Sequence, residues 1–317
     1  MKILITGITG LLGSYVAKEF ASLGEIHGFK RKSSSTRLLD EINFPIHWHE
    51  GTISDVGSID DAIQDIDLVI HCAGKVSFLP GDEEELFEVN VRGTSNLVNC
   101  MLNAGVKKLI HVSSVSALGR NPELSVIDEE HKWVDSPLNT KYGTSKYLGE
   151  LEAWRGEQEG LELIVVNPSI LLGKISDERS STSIYAHVLG NSSYYPVGSI
   201  NYLDVRDASK IMRELYEKAC WGDRFILNKE TIKYREFFEK MAKAFGKKVP
   251  TKPVSNSLLK LGLFFLGIAR MLGLSKNPLN KQTAMISQQD IIFKNDKIEK
   301  LLDFNYTPIE ETFLWAK

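Results

Sequence analysis

The sequence predicts an α/β protein: a doubly wound parallel sheet with a smaller, mostly helical C-terminal domain. Three observations predict it. Short apolar runs rich in β-branched residues alternate with helical patterns up to residue 168, which is how parallel strands and their crossovers read. The chain opens on strand, glycine turn and helix. Several later strand candidates end in small residues, Ala73-Gly74 and Ser113-Ser114 among them, at the edge where such sheets hold ligands.

The first strand is Lys2-Ile3-Leu4-Ile5, and the helix after it begins near Ser14. Between them stands Thr6-Gly7-Ile8-Thr9-Gly10-Leu11-Leu12-Gly13. Gly7 can turn the chain off the strand, Gly10 leaves room for a pyrophosphate, and Gly13 lets the helix pack closely. The helix N-terminus offers unpaired N–H groups and the positive end of its dipole to an anion. Gly7, Thr9, Gly10, Leu11, Leu12 and Gly13 are therefore the candidate dinucleotide cradle.

Glu25 to Lys30 reads as the second strand, whose end faces the adenosine ribose in this architecture. Lys30-Arg31-Lys32-Ser33-Ser34-Ser35-Thr36-Arg37 follows, with no acid to accept from a 2′-hydroxyl. Cations and hydroxyls suit a 2′-phosphate, so the expected cofactor is NADP(H) rather than NAD(H), with Arg31 its main contact. Ile46 to Glu50 is the third strand; His47 and His49 share a face there but have no third ligand nearby, so no metal site is expected. Gly51-Thr52-Ile53 is placed to reach the adenine, and Asp55 reads as an N-cap.

Asp67 to Gly74 is the fourth strand, and Cys72, Ala73 and Gly74 leave space for a cofactor backbone. Glu83 to Ala104 reads as one long helix containing Asn90. Lys107 to Ser113 is the fifth strand, Asn139 to Glu159 a helix, and Leu161 to Val166 a strand running into Asn167-Pro168. The polar stretch from Gly173 to Gly198 fits a substrate loop, with Phe78, Tyr185, Tyr194 and Tyr195 as candidate lining. Tyr202 to Asp207 opens a further ordered stretch with a helix to Ala219, and Arg224 to Leu227 is another strand. Residues 1–168, with 201–229 returning to them, form the dinucleotide-binding domain; 169–200 and 230–317 form the substrate cap.

Tyr142 and Lys146 stand four apart on a helix and so share a face. An ammonium beside a phenol favours the phenolate, and the spacing predicts a Tyr142 pKa lowered towards neutral. Such a phenol can give a proton to a carbonyl oxygen and recover it. Lys146 can also bond a ribose hydroxyl. Ser114, with Ser113 as its competitor, can hold the substrate oxygen.

The remaining chemistry narrows the field. A net charge of −3 gives no electrostatic case for nucleic acid. Three widely separated cysteines suit a reducing, cytoplasmic setting, and Met1 runs straight into the first strand without room for a signal peptide. Residues 258–274 are nearly as long as the roughly 18-residue run of a membrane span, but Lys260 and Arg270 interrupt them. A buried helix is the first reading, peripheral membrane or subunit contact the second, and a transmembrane span is not expected.

The glycine turn, Ser113-Ser114, Tyr142-Gly143-Thr144-Ser145-Lys146 and Asn167-Pro168 together resemble the extended short-chain dehydrogenases/reductases, of the NAD-dependent epimerase/dehydratase superfamily. Phe29-Lys30-Arg31, His71-Cys72-Ala73, Asp128 to Trp133 and Leu203 to Asp207 resemble the dihydroflavonol-4-reductase-like group within it. The resemblance implies a Rossmann domain, a catalytic Ser114, Tyr142 and Lys146, Asn90 as helper, Pro168 beside the nicotinamide, and a homodimer. Relatives usually carry Asp at the position of Thr52, so that adenine contact departs from the pattern. The expected activity is reduction of a small-molecule ketone or aldehyde, or oxidation of the alcohol. A nucleotide-sugar epimerase or dehydratase with bound NAD is the main alternative, though the basic second-strand end and Ser113-Ser114-Val115 speak against it. A non-catalytic NADP(H) sensor is the other, and the retained Tyr-Lys pair weighs against that.

Overall fold

The computed structural model describes residues 1–177, 183–255, 257–259, 261–263, 266 and 280–317. In chain order its strands begin with β1 (Lys2–Thr6), β2 (Glu25–Lys30), β3 (Ile46–Glu50), β4 (Leu68–His71), β5 (Lys108–Val112), β6 (Val126–Ile127) and β7 (Glu162–Pro168). They continue with β8 (Ile170–Leu172), β9 (Tyr194–Tyr195), β10 (Ser199–Asp204), β11 (Asp223–Leu227), β12 (Glu230–Lys233), β13 (Lys252–Pro253) and β14 (Ile292–Phe293). Among the described residues, seven strands form one sheet in the order β3-β2-β1-β4-β5-β7-β11, with parallel pairing throughout. The strand order reverses between β1 and β4, and that switch point opens a crevice at the carboxyl edge.

Alternation sorts the side chains of the sheet. Ile3 and Ile5 face a core shared with Val16 and Phe20 of α1 (Leu11–Phe20) and with residues 205–215. Leu4, between them, faces the opposite core with Val69, Leu97 and Ala153. Both faces are thus covered by helices, which is why β4 is buried along its whole length. The second core contains α2 (Val56–Ala62), which Asp55 caps by accepting from Gly57 N at 3.2 Å.

One helical stretch departs from its expected form. Glu83 to Ala104 is α3 (Glu83–Phe87), a π turn (Glu88–Arg92) and α4 (Gly93–Ala104) in succession. Next comes α5 (Lys141–Gln158), whose Thr140 cap accepts from Gly143 N at 2.9 Å.

The smaller unit has its own core. A three-stranded sheet, β12-β10-β8, packs with α6 (Ser183–Leu189), the later helix Tyr234–Phe245 and the final helix Ile309–Trp315. Tyr185, Tyr202, Phe237 and Phe313 are fully buried there. Tyr185, a candidate pocket residue, is instead a core residue whose hydroxyl donates to Gly173 O at 3.0 Å. Tyr194 is exposed on β9, which pairs with β13, and β6 pairs with β14.

Among the described residues the chain crosses between the two units five times, the last two where Ile298 and Leu302 return to the large core and the final helix then joins the small one. Only Ser169 separates β7 from β8. β10, in the small sheet, runs directly into α7 (Val205–Glu217), which packs on α1 against the large sheet. Asn228 and Lys229 join β11, at the edge of the large sheet, to β12. Carboxylates lock this region: Asp204 accepts from Arg206 N at 2.8 Å and from Thr312 Oγ1 at 2.8 Å. Asp207 accepts from Thr307 N at 2.7 Å and Thr307 Oγ1 at 2.8 Å.

Most of the apolar stretch 258–274 lies outside the described residues. Among the described residues no helix is long and apolar enough to cross a membrane.

Candidate functional site

Gly7 stands at φ +69, and a Cβ there would lie 2.6 Å from Ala73 N. The turn after β1 therefore packs backbone to backbone on the end of β4. A Cβ on Gly13 would meet Gly7 O at 2.3 Å, so the start of α1 folds tightly onto the same turn. Gly10 is the N-cap of α1 and brings no side chain to its N–H groups. Thr9 lies in this turn, and Leu11 and Leu12 open α1. This backbone fits a pyrophosphate group.

The same contact leads to Lys146. A Cβ on Gly74 would sit 3.3 Å from Asn90 Oδ1 and 3.8 Å from Lys146 Nζ. Lys146 Nζ donates to Val112 O at 2.8 Å. Burial pushes its pKa down to about 8, against the opposing charges of Glu150 and Cys72. Cys72 itself is driven up to about 12 by burial.

Tyr142 lies edge-on to Phe78, with ring centroids 5.5 Å apart. Burial raises its phenol above the ordinary value, and the Ser114 hydroxyl works in the opposite direction. The lowered pKa expected from the Tyr-Lys spacing is thus reversed. Lys146 Nζ donates its hydrogen bond to the Val112 carbonyl, and desolvation of the phenolate is the larger effect. Between the two serines, Ser114 is the one that faces Tyr142, and its Oγ accepts from Ser116 N at 3.1 Å. Ser113 Oγ is buried without a partner.

Asn90 holds this arrangement in place from the π turn. Its Oδ1 accepts from Lys75 N at 2.8 Å, and its Nδ2 donates to Lys75 O at 3.0 Å and Ser145 Oγ at 2.9 Å. Ser145 Oγ donates in turn to Tyr142 O at 2.8 Å. The Asn90 carbonyl accepts from Thr94 Oγ1 at 2.8 Å. It also approaches α5 so closely that a Cβ on Gly149 would lie 2.1 Å from it. Only glycine allows that contact.

Sequence reasoning missed two groups. Glu150, buried one turn beyond Lys146, joins Arg224 at 3.0 Å and accepts from Asn167 Nδ2 at 2.8 Å. Asn167 Nδ2 also donates to Ser114 O at 3.0 Å, so β7 fixes the serine's backbone. The signal for Glu150 was its place at i+4 from Lys146 on the same face. The second is a buried pair, His71 and His111, with ring centroids 5.4 Å apart. His71 Nδ1 bonds Thr6 Oγ1 at 2.7 Å and its Nε2 bonds Thr94 Oγ1 at 3.1 Å.

The remaining candidates lie at strand ends or in the loops that follow them. Arg31 is exposed just beyond β2. Glu50, across from Lys30 on β3, is held by Lys30 Nζ at 2.8 Å. Thr52 is exposed, and its carbonyl accepts from Asp55 N at 3.0 Å. Ile53 is buried against Gly93, where a Cβ would meet it at 2.5 Å. Pro168 ends β7 and is buried. No group of histidine, cysteine and carboxylate side chains among the described residues has the arrangement of a metal site.

A family model described as the NAD dependent epimerase/dehydratase family matches residues 3–218. Sterol demethylase protein B of Methylococcus capsulatus is 28% identical over 287 residues, which cover 89% of this chain and 83% of that protein. Cinnamoyl-CoA reductase 1 of Petunia hybrida is 27% identical, with 79% of each chain covered. The crystal structure of gox2253 superposes with a TM-score of 0.84 at 27% identity, covering 99% of this chain and 96% of the other.

Proposed function

The chain belongs to the NAD dependent epimerase/dehydratase family, within the extended short-chain dehydrogenases/reductases, and on that premise we propose that it is an NADP(H)-dependent oxidoreductase reducing a ketone or aldehyde. The observation that carries this reading is the meeting of Ser114 and Tyr142, with Lys146 one turn on and only Gly74 between Lys146 and the glycine turn. The names of the reductase relatives support the same class of reaction.

The glycine turn and the open N-terminus of α1 would hold the pyrophosphate, and Arg31 the 2′-phosphate. Bound there, the nicotinamide supplies the hydride. Ser114 Oγ holds the carbonyl oxygen, and Tyr142 gives it a proton. A raised phenol pKa suits this direction, because the acid must be protonated at neutral pH. As the phenolate forms, the Lys146 ammonium, one helical turn along α5, would supply the stabilising positive charge. Asn90 and Asn167 position these groups through Ser145 and the Ser114 carbonyl.

The test is NADPH consumption with a panel of aromatic and aliphatic aldehydes and ketones. Tyr142→Phe is expected to lower turnover by about 10²–10⁴-fold, while NADPH binding, read by its fluorescence, stays as in the wild type. A fully active Tyr142→Phe variant removes the assignment. NADPH is expected to bind more tightly than NADH, and the reverse order removes Arg31 from the site. The family description also covers epimerases and dehydratases; NAD released from the denatured protein would favour that reading. Cytoplasmic location is supported by the three free thiols Cys72, Cys100 and Cys220, and the homodimer is proposed from the family alone.

A further inference from the structure

The turn that leaves Ser114 leads to an arginine without a carboxylate. Val115–Leu118 is a 3-10 turn capped by Ser114, and Gly119 follows at φ +76. The next residue, Arg120, donates from its backbone N–H to Asn139 Oδ1 at 2.9 Å. Asn139 directly precedes the Thr140 cap of α5, so Arg120 is fixed to the helix that carries Tyr142.

Its side chain faces the other unit. The groups in electrostatic contact are Arg120 and Tyr234, the first residue of the helix Tyr234–Phe245. Arg120 Nε is buried without a hydrogen-bond partner. Among the described residues the other half-buried arginines are neutralised: Arg206 by Asp204, Arg224 by Glu150, Arg213 by Glu217, and Arg155 by Glu152 and Glu159. Among the described residues no acid does this for Arg120. Arg120 and Tyr234 both keep partial exposure. Burial moves the guanidinium pKa down only to about 10, so it is charged at neutral pH. The Tyr234 phenol, pushed up to about 12, keeps its proton and is a donor. An unpaired cation in such surroundings is costly, and a buried group left unsatisfied calls for a ligand that satisfies it.

We propose that Arg120 and Tyr234 form an oxyanion subsite, so that the carbonyl substrate carries a carboxylate or phosphate at the end remote from Ser114. This rests on the reductase reading and narrows its substrate class. With only Val115–Leu118 in the 3-10 turn, three steps of about 2 Å and three of at most about 3.6 Å put the Arg120 backbone within about 17 Å of Ser114. The flexible side chain can reach back over part of that span, which leaves room for a ring between the carbonyl and the anion. Planar guanidinium nitrogens bind either oxyanion in a bidentate pair, and the Tyr234 hydroxyl adds a third donor.

The test compares 4-formylbenzoate and 4-formylphenyl phosphate with methyl 4-formylbenzoate as substrates under NADPH. The wild type is expected to prefer at least one charged aldehyde to the ester, by kcat/KM. Arg120→Gln should cut that preference about ten- to hundredfold, Arg120→Lys should restore part of it, and Tyr234→Phe should reduce it severalfold. Whichever charged aldehyde is preferred distinguishes carboxylate from phosphate. A wild type indifferent to charge, or a preference unchanged in Arg120→Gln, overturns the subsite. Calorimetry with 4-(hydroxymethyl)benzoate in the presence of NADP separates the two readings. Binding that weakens at least about tenfold in Arg120→Gln, without turnover of any aldehyde, keeps the subsite and removes the reductase. Absent or equal binding in both proteins removes the subsite.

Discussion

His71 and His111 lie beneath Lys146 as uncharged imidazoles. Burial, followed by the Lys146 charge, depresses His71 to about 3 and holds His111 well below its ordinary value. In the unfolded chain both take up protons near pH 6.5, the ordinary value. Below that pH the unfolded state binds more protons, so stability falls as pH drops from 6.5 towards the folded values. Each imidazole contributes at most about 1.4 kcal/mol per pH unit in this window. His111 has no hydrogen bond to lose, so His111→Leu should flatten the slope by about that amount. Urea titrations at several pH values between 6.5 and 5 measure it, and an unchanged slope refutes the assignment. At this scale the sequence brought out Tyr142 and Lys146 as a pair, because a four-residue spacing puts them on one face of α5. It did not show the direction of the Tyr142 shift. That depends on how much protein surrounds the phenol, and on Val112 O claiming the ammonium, both of which are tertiary facts. Glu150 and the imidazole pair were hidden for the same reason: their partners lie on other strands.

The element that sets the site is the π turn against α5. Its extra residue lets the Asn90 carbonyl reach Gly149 and the Asn90 side chain reach Ser145. Gly149→Ala should force the two apart, with a loss of about 1–3 kcal/mol, the usual range for overpacking. Tyr142 and Lys146 ride on the displaced helix, so kcat should fall with stability while a remote variant of equal stability keeps its rate. Urea denaturation alongside turnover tests this, and a Gly149→Ala protein of normal kcat would show that the close approach has no part in positioning. Strands β2 and β3 were legible to the residue, since alternation and flanking polar segments bound them on both sides. The π turn was not legible. Helical periodicity continues through Glu83 to Ala104, and the interruption is stabilised by a hydroxyl, Thr94 Oγ1, and by the absence of a side chain at Gly149.

At the scale of the whole molecule, the parallel sheet and its crevice followed from the alternation of strand and helix patterns. The smaller unit was harder to read. Its strands are short, and their partners are far apart in sequence: β8 and β12 both pair with β10. Tyr185 sits in a polar stretch that reads as a loop in the sequence, whereas it packs with Phe313 at 6.3 Å between ring centroids. Phe313 also meets Phe237 at 5.3 Å, and Phe313→Ala should cost about 3–5 kcal/mol. Because Asp204 and Asp207 tie the C-terminal segment across the junction, the loss is expected in a single calorimetric transition. Two resolved transitions would show that the units melt separately. The repeated crossings have a practical corollary for anyone seeking to re-engineer specificity. Neither half can be exchanged as a cassette, since a graft from a relative must be spliced beside Ser169, Asp204 and Asn228 and again on both sides of Ile298 and Leu302. A single nick at any one of these seams would leave both halves still tethered through the others.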